Sequence, residues 1–350
     1  MAEVRKKICY VIPEYRADTP THFNHLYDFI REASKTVDLY LYIEKGDVPE
    51  GALGAKMIRV GNGKNPFSRW WYGIKLFYRM RSMGICFFYV HYSFGAACAA
   101  VLVRMFKGGR VYYWNCGEPW KYKRNFLREW FERRVYRSVD FVVTGAESLK
   151  KKYAEAYGIS EQKIKVMPNW IDIEKFKSQI SNLKVEELRK QLNIFADEKI
   201  ILFAHRLSRR KGAQYLPEII KAFKNEKVAF IIIGDGPEKQ NTALRIKDLG
   251  LYDRARMLGW IPNNDMPLYY ALADVFVMPS DEEGFPRVLL EAMAFGVPFA
   301  AFAVGGVREI IPPEFQEYVA QSGNVGQFTS AVRGILSLPK EKKELLMSAE

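Results

Sequence analysis

Short, nearly continuous apolar runs recur along this chain and are separated by polar or helix-periodic stretches. In the first half the runs read KICYVI, DLYLYIE, KMIRV, ICFFYV, RVYYWN, DFVVTG and KIKVMP, and in the second KIILFAH, VAFIIIG, ARMLGW, DVFVMP and PFAAFA. Strands this apolar are buried on both faces, and helices between several of them predict parallel sheets. Two such sets predict an α/β chain of two doubly wound, Rossmann-like domains. The junction falls after VMPNWIDIEKF, around residues 168 to 190, so residues 1–170 and 171–350 are the expected domains. Ligands of such sheets bind beyond the carboxyl ends of the strands, and the chemistry is sought there.

The segment from Ser82 to Val103 carries no formally charged residue and is long enough to mimic a membrane span. Its composition argues otherwise. ICFFYVHY is aromatic and strand-like, SFG is a turn signal, and AACAAVLV is a small-residue helix of the kind that packs on a sheet.

The stretch SDEEGFPRVLLEAMAFGVPFAAFAVGG, residues 280 to 306, says most about function. It follows the run DVFVM, and LLEAMAF keeps a helical apolar period until Gly296-Val297-Pro298 stops it. Glu283 therefore lies in a strand-to-helix loop and Glu291 inside the helix. Free amides of the first helical turn, with the positive end of the helix dipole, make that junction an anion site. An anion flanked by two acceptors of hydroxyl protons points to a sugar nucleotide. An acidic loop before an ordinary buried helix is the plain alternative.

At 350 residues the chain exceeds a single core, and with 49% apolar and 27% charged residues it belongs to the globular class. Cys9, Cys86, Cys98 and Cys116 form no CxxC pair, which indicates neither a zinc site nor a disulfide framework and fits a reducing compartment. The apolar run of MAEVRKKICYVIPEY is too short for a signal peptide. These features point to the cytoplasm.

Charge is divided unevenly: residues 1 to 170 hold 29 Lys and Arg against 16 Asp and Glu, whereas residues 171 to 350 hold 24 against 24. The whole excess of +13 lies in the first half. KNPFSRWWYGIKLFYRMR and KYKRNFLREWFERRVYR carry much of it, placing Trp70, Trp71, Phe77, Tyr78, Phe126, Trp130, Phe131 and Tyr136 among cations. Either stretch alone reads as a helix with a core face and a solvated basic face. Together they point to an anionic membrane surface or acceptor, since each cation near such a surface contributes about 1 kcal/mol. Nucleic acid is the competing partner and is not expected.

Further motifs stand at predicted strand ends in the second half. KIILFAHRLSRRKGAQYLPEII turns through a basic loop into a helix, so Arg206 and Lys211 can meet a phosphate. VAFIIIGDGPEKQ ends in Gly234-Asp235-Gly236-Pro237, a turn whose glycines admit a ligand close to the backbone. ARMLGWIPNND sets Trp260 and Ile261 at another strand end. Individually, each has a structural reading: a surface cation, a tight turn, a core tryptophan.

The ordered set PNWID, HRLSRRKG, GDGP, LGWIPNNDMPLYYALADVFVMPS and EEGFPRVLLEAMAFGVP resembles glycosyltransferase family 4, the group 1 nucleotide-sugar transferases with the GT-B fold. The resemblance spans residues 168 to 311 strongly and the first half only in layout. It implies two Rossmann-like domains facing each other across a cleft, and retaining transfer of a sugar from a nucleoside diphosphate sugar without metal or other cofactor. It also implies that Arg206 and Lys211 bind the donor diphosphate, Glu291 the ribose hydroxyls, and Glu283 the sugar hydroxyls near the reacting carbon. Amides around Gly284, Phe285, Arg287 and Val288 would face sugar and phosphate. Trp260 and Ile261 would lie by the base, with Gly234 and Asp235 also on the donor side. The acceptor would be a lipid-linked sugar or glycan, in surface glycan synthesis at the inner face of the cell membrane.

Four features depart from the family pattern. In place of a glycine-rich loop after the first strand stands PEYRADTPTHFNH, which sets Thr19, Thr21 and His22 either at the acceptor or diphosphate side or in a solvated loop. Where a histidine often approaches the sugar, WNCGEPW offers Asn115, Cys116 and Glu118. His205 replaces a common glycine beside Arg206, where it would contact or crowd the phosphate. The chain also stops at Glu350 inside LPKEKKELLMSAE, which reads as lacking the usual terminal crossover helix. A non-catalytic basic adaptor, binding membrane or nucleic acid and keeping a degenerate nucleotide-sugar pocket, is the alternative function.

Overall fold

The computed structural model describes residues 5–16, 24–61, 63, 65–173 and 182–339. The chain divides into two compact units, Met1–Pro168 and Asn169–Glu350. In the first unit β1 (Lys7–Ile12), β2 (Asp38–Ile43), β3 (Met57–Val60), β4 (Phe87–His91), β5 (Arg110–Trp114), β6 (Phe141–Thr144) and β7 (Ile164–Val166) form one sheet in the order β3-β2-β1-β4-β5-β6-β7. In the second, β8 (Lys199–Ala204), β9 (Val228–Ile233), β10 (Ala255–Gly259), β11 (Val275–Met278), β12 (Phe299–Phe302) and β13 (Val319–Ala320) follow the order β10-β9-β8-β11-β12-β13.

Every strand pair in the two sheets is parallel. Parallel strands need crossovers, and the helices between them cover both faces. Burial follows: all six residues of β9 and all four of β11 and of β12 are buried. The α/β doubly wound architecture read from the apolar runs is the one observed. β13 was not anticipated, because its two residues are too short to register as a run; it is a strand only because Val319 and Ala320 lie in register with Ala301 and Phe302.

The charge-free segment becomes β4 and the helix Phe94–Lys107. Ser93 Oγ caps that helix by accepting the Ala96 amide at 3.2 Å, and Ala96, Ala97, Ala99 and Ala100 are buried. No described helix is long and apolar enough to cross a membrane. The two basic stretches fold differently from one another. In the helix Pro66–Ser82, Leu76, Phe77 and Met80 enter the core while Trp71 and Tyr78 stay exposed. In the helix Phe126–Ser138 only Glu132, Val135 and Tyr136 are buried, and Phe126, Leu127, Trp130 and Phe131 all face solvent.

Each sheet reverses its winding once, between β1 and β4 and between β8 and β11. The crevice at the carboxyl ends of two such strands is where doubly wound sheets hold ligands. The second unit fills its crevice with the residues singled out above.

Candidate active site

β8 and β11 are paired, Val275 with Ile201, so the loops leaving their carboxyl ends lie side by side. The first runs His205-Arg206-Leu207 into a short turn, Arg209–Lys211, and the second runs from Pro279 to the helix Arg287–Ala294. Cross-ties hold the loops together. The Asp281 amide donates to the Arg210 carbonyl at 3.0 Å, and its carboxylate accepts Gln214 Nε2 at 2.8 Å and the Tyr215 hydroxyl at 3.0 Å. Two glycines make this approach sterically allowed. At Gly212 (φ +79°) a Cβ would lie 1.8 Å from the Pro279 carbonyl oxygen, and at Gly305 (φ +53°) 2.3 Å from that of Glu283.

Glu283 sits at the centre of the junction with only 7% of its surface exposed. One of its oxygens, Oε1, accepts from Lys211 Nζ at 2.7 Å and lies 3.2 Å from His205 Nε2. Burial by itself would raise the Glu283 pKa, but the Lys211 charge and the His205 hydrogen bond outweigh it and hold the carboxyl well below the usual range. His205 Nδ1 accepts the Arg206 amide at 3.0 Å, so the neutral ring carries its proton on Nε2 and donates it to Glu283. Burial, with the positive charge of Lys211, lowers the His205 pKa and keeps the ring neutral.

The donor-side candidates take different places. Glu291, in the helix Arg287–Ala294, accepts Arg287 Nη2 at 2.6 Å and the Tyr270 hydroxyl at 2.9 Å. Val288 shares the first turn with Arg287, and no side chain caps that turn. Arg206 is exposed to solvent. The Gly284 carbonyl accepts the Gly306 amide at 2.7 Å, and the Phe285 carbonyl accepts Asn169 Nδ2 at 2.6 Å, tying PNWID to the acidic loop. Trp260 is 50% exposed at the end of β10, while Ile261 packs on the core. Gly234 donates to the Gly259 carbonyl at 2.7 Å. Asp235 is spent locally on the Gly236 amide and Lys239, each at 2.7 Å, which lower its pKa. Among the described residues no three His, Cys, Asp or Glu side chains gather as a metal site requires.

Residues 184–349 match the family of glycosyl transferases group 1, and residues 23–175 match glycosyltransferase family 4. The chain belongs to the group 1, family 4 glycosyltransferases. An uncharacterized glycosyltransferase of Methanocaldococcus jannaschii is 33% identical over 174 residues, 49% of this chain and 45% of the relative. A UDP-Gal:α-D-GlcNAc-diphosphoundecaprenol α-1,3-galactosyltransferase of Escherichia coli is 30% identical over 179 residues, 50% of this chain and 45% of its own length. The chain thus spans about half the length of the curated relatives it matches. The Anabaena protein HepE, solved with UDP-glucose, has the same GT-B fold: TM-score 0.77 at 18% identity, over 97% of this chain and 92% of its own.

In this glycosyltransferase the first-unit candidates are occupied structurally. Asn115 donates to the Tyr136 hydroxyl and accepts the Gly117 amide, both at 3.0 Å. Glu118 is 3% exposed and paired with Lys121 at 2.5 Å and Lys152 at 3.0 Å, whose charges overcome burial and lower its pKa. Thr19, Thr21 and His22 lie outside the described residues, as do residues 340–350, where the question of a terminal crossover helix falls. His205 lies against Glu283, its Nε2 3.2 Å from Oε1. Sequence reasoning missed Tyr270 and Gln214, which lie inside the quoted stretches but were given no role, and Gly305, whose signal was the glycine pair following PFAAFAV. The Arg287–Glu291 pair was readable from its four-residue spacing.

Proposed function

We propose that this glycosyltransferase moves a sugar from a nucleoside diphosphate sugar to a lipid-linked or glycan acceptor, retaining anomeric configuration and using no metal. One observation carries the reading: the crevice between β8 and β11 gathers a buried Lys211–Glu283–His205 group, the exposed Arg206 and an uncapped helix start. When the bond from the anomeric carbon to the diphosphate breaks, negative charge grows on the departing phosphate. Arg206, Lys211 and the helix amides meet it with fixed positive ends, which do not reorganise during reaction. The acceptor oxygen then bonds to the anomeric carbon on the same face, and its proton passes to the departing phosphate oxygen. Glu283, ionised and already held by two donors, orients the sugar and stabilises positive charge on the ring. Glu291 offers its carboxylate to ribose hydroxyls in exchange for its bonds to Arg287 and Tyr270. The UDP-glucose bound by HepE and the diphosphoundecaprenol acceptor of the Escherichia coli relative support this substrate class.

The membrane-facing part of the reading rests on the first unit. Phe126 (79% exposed), Leu127 (75%) and Trp130 (59%) project from one helix among Lys121, Lys123, Arg128 and Arg134. Apolar anchors set among cations suit the interface of an anionic bilayer, where a lipid-linked acceptor resides. The deciding experiment incubates the protein with UDP-, GDP- and ADP-sugars and scores binding by thermal shift and slow hydrolysis to free nucleotide. Stabilisation by one donor, abolished in Lys211→Ala and Glu291→Ala, is the expected result. No response to any donor would sink the reading in favour of a non-catalytic adaptor.

A further inference from the structure

Two bonds at opposite nitrogens fix the His205 ring: Nδ1 to the Arg206 amide at 3.0 Å and Nε2 to Glu283 Oε1 at 3.2 Å. Lys211 shares that same carboxylate oxygen at 2.7 Å. On the donor-site reading above, on which this inference rests, Lys211 has a second task, because the diphosphate draws its ammonium away from Glu283. The carboxylate then loses its nearest counter-charge while remaining buried, a position in which an unpaired carboxylate turns or takes up a proton. The ring contact is what remains on Oε1. We propose that His205 is a positioning residue for Glu283: anchored by the Arg206 backbone, its Nε2–H keeps the carboxylate aimed at the sugar while Lys211 serves the diphosphate.

A glycine at 205 would supply neither contact. The ring must be neutral to work. Protonation would turn Nδ1 into a donor facing the Arg206 N–H, and the two bonds could not coexist. Lys211 and Arg210 oppose that protonation and Glu283 favours it; burial, with the two cations, prevails. The doubly anchored contact therefore operates at neutral pH, and in acid the ring loses its anchor on the Arg206 amide.

The test compares wild type with His205→Ala, His205→Asn and His205→Gln, measuring nucleoside diphosphate affinity by calorimetry and donor turnover from about pH 5 to 8. Asparagine restores only an acceptor for the Arg206 amide, whereas glutamine restores only the donor to Glu283. All three should bind nucleotide within about threefold of wild type, since the phosphate contacts are intact. Turnover should fall about tenfold or more in the alanine and asparagine variants and recover to within about threefold in glutamine, without the acid limb of wild type. Wild-type turnover in His205→Ala, or glutamine as impaired as alanine, overturns the proposal. Histidine nitrogen spectra of the free protein give a readout independent of any donor: an Nε2–H tautomer for His205 supports the geometry, and an Nδ1–H or cationic ring at neutral pH overturns it. Absence of nucleotide binding in wild type instead strikes the donor-site reading and takes this proposal with it.

Discussion

Replacing Lys211 with alanine leaves Glu283 buried beside a void in place of its counter-charge. At the observed 2.7 Å, the attraction between the two charges is about 6 kcal/mol at an effective dielectric near 20. Two escapes reduce the net cost. His205 keeps its bond, and the carboxyl can protonate, which at pH 7 costs roughly 4 kcal/mol for a group with an ordinary pKa near 4.3. A loss of about 3 kcal/mol is therefore expected, within the range for a buried pair broken on one side. In a unit of this size that lowers Tm by roughly 9 °C. The pH dependence has a definite sign. In wild type the depressed Glu283 pKa contributes stability that is present above the ordinary carboxylate range and lost as pH falls below it. Without Lys211, burial raises that pKa, so the deficit of the variant is largest near pH 8 and shrinks as pH falls toward 5. Thermal unfolding of wild type, Lys211→Ala, Glu283→Gln and the double variant across this range checks the argument, with a coupling of about 2 kcal/mol expected. A single-variant loss under about 0.5 kcal/mol, or additive effects, would refute the buried pair. Catalytically, Lys211→Ala should lose on the order of a hundredfold in kcat/KM, and a loss below about threefold would remove Lys211 from the diphosphate site.

Other perturbations probe separate parts of the molecule. Glu291→Gln should weaken nucleotide binding by about tenfold or more with kcat little changed, whereas Tyr270→Phe, which removes one bond at 2.9 Å, should cost about 1 kcal/mol of stability; calorimetry and melting curves separate the two. Gly305→Ala sets a Cβ against the Glu283 carbonyl at positive φ, and should cost about 1–3 kcal/mol and impair turnover, while unchanged melting would show that the loop yields freely. Phe126→Ser with Trp130→Ser should reduce binding to anionic vesicles by about tenfold or more, leaving donor hydrolysis in solution intact. Equal binding of wild type to zwitterionic and anionic vesicles would refute the charge-assisted contact.

Much of the second unit was legible in its residues. β8, β9, β11 and β12 read as continuous apolar runs because a parallel strand covered on both faces has no polar side to alternate with. The helix carrying Glu291 was bounded by Pro286 and Gly296, and the loop carrying Glu283 lay between run and helix. These are local properties, and periodicity reports them faithfully. The aromatic run of the charge-free segment was likewise enough to separate β4 and its helix from a membrane span.

Pairing was another matter. Lys211 and His205 reach Glu283 across 72 and 78 residues, and only the order β10-β9-β8-β11 makes those strand ends neighbours. The same two basic, aromatic patterns could not reveal that Phe77 enters the core while Phe126 and Trp130 stay in solvent, since each sequence serves equally as a core face or a free one. Asn115 and Glu118 showed polar groups at a strand end, and Lys121 stands three residues from Glu118, but Lys152 and Tyr136, which complete their pairing, lie 34 and 21 residues away. Apolar periodicity is imposed on each segment by its own burial, so the sequence by itself determined the elements. Which polar groups meet is imposed by the sheet order and by glycines that let two loops touch, and the tertiary structure alone decided that.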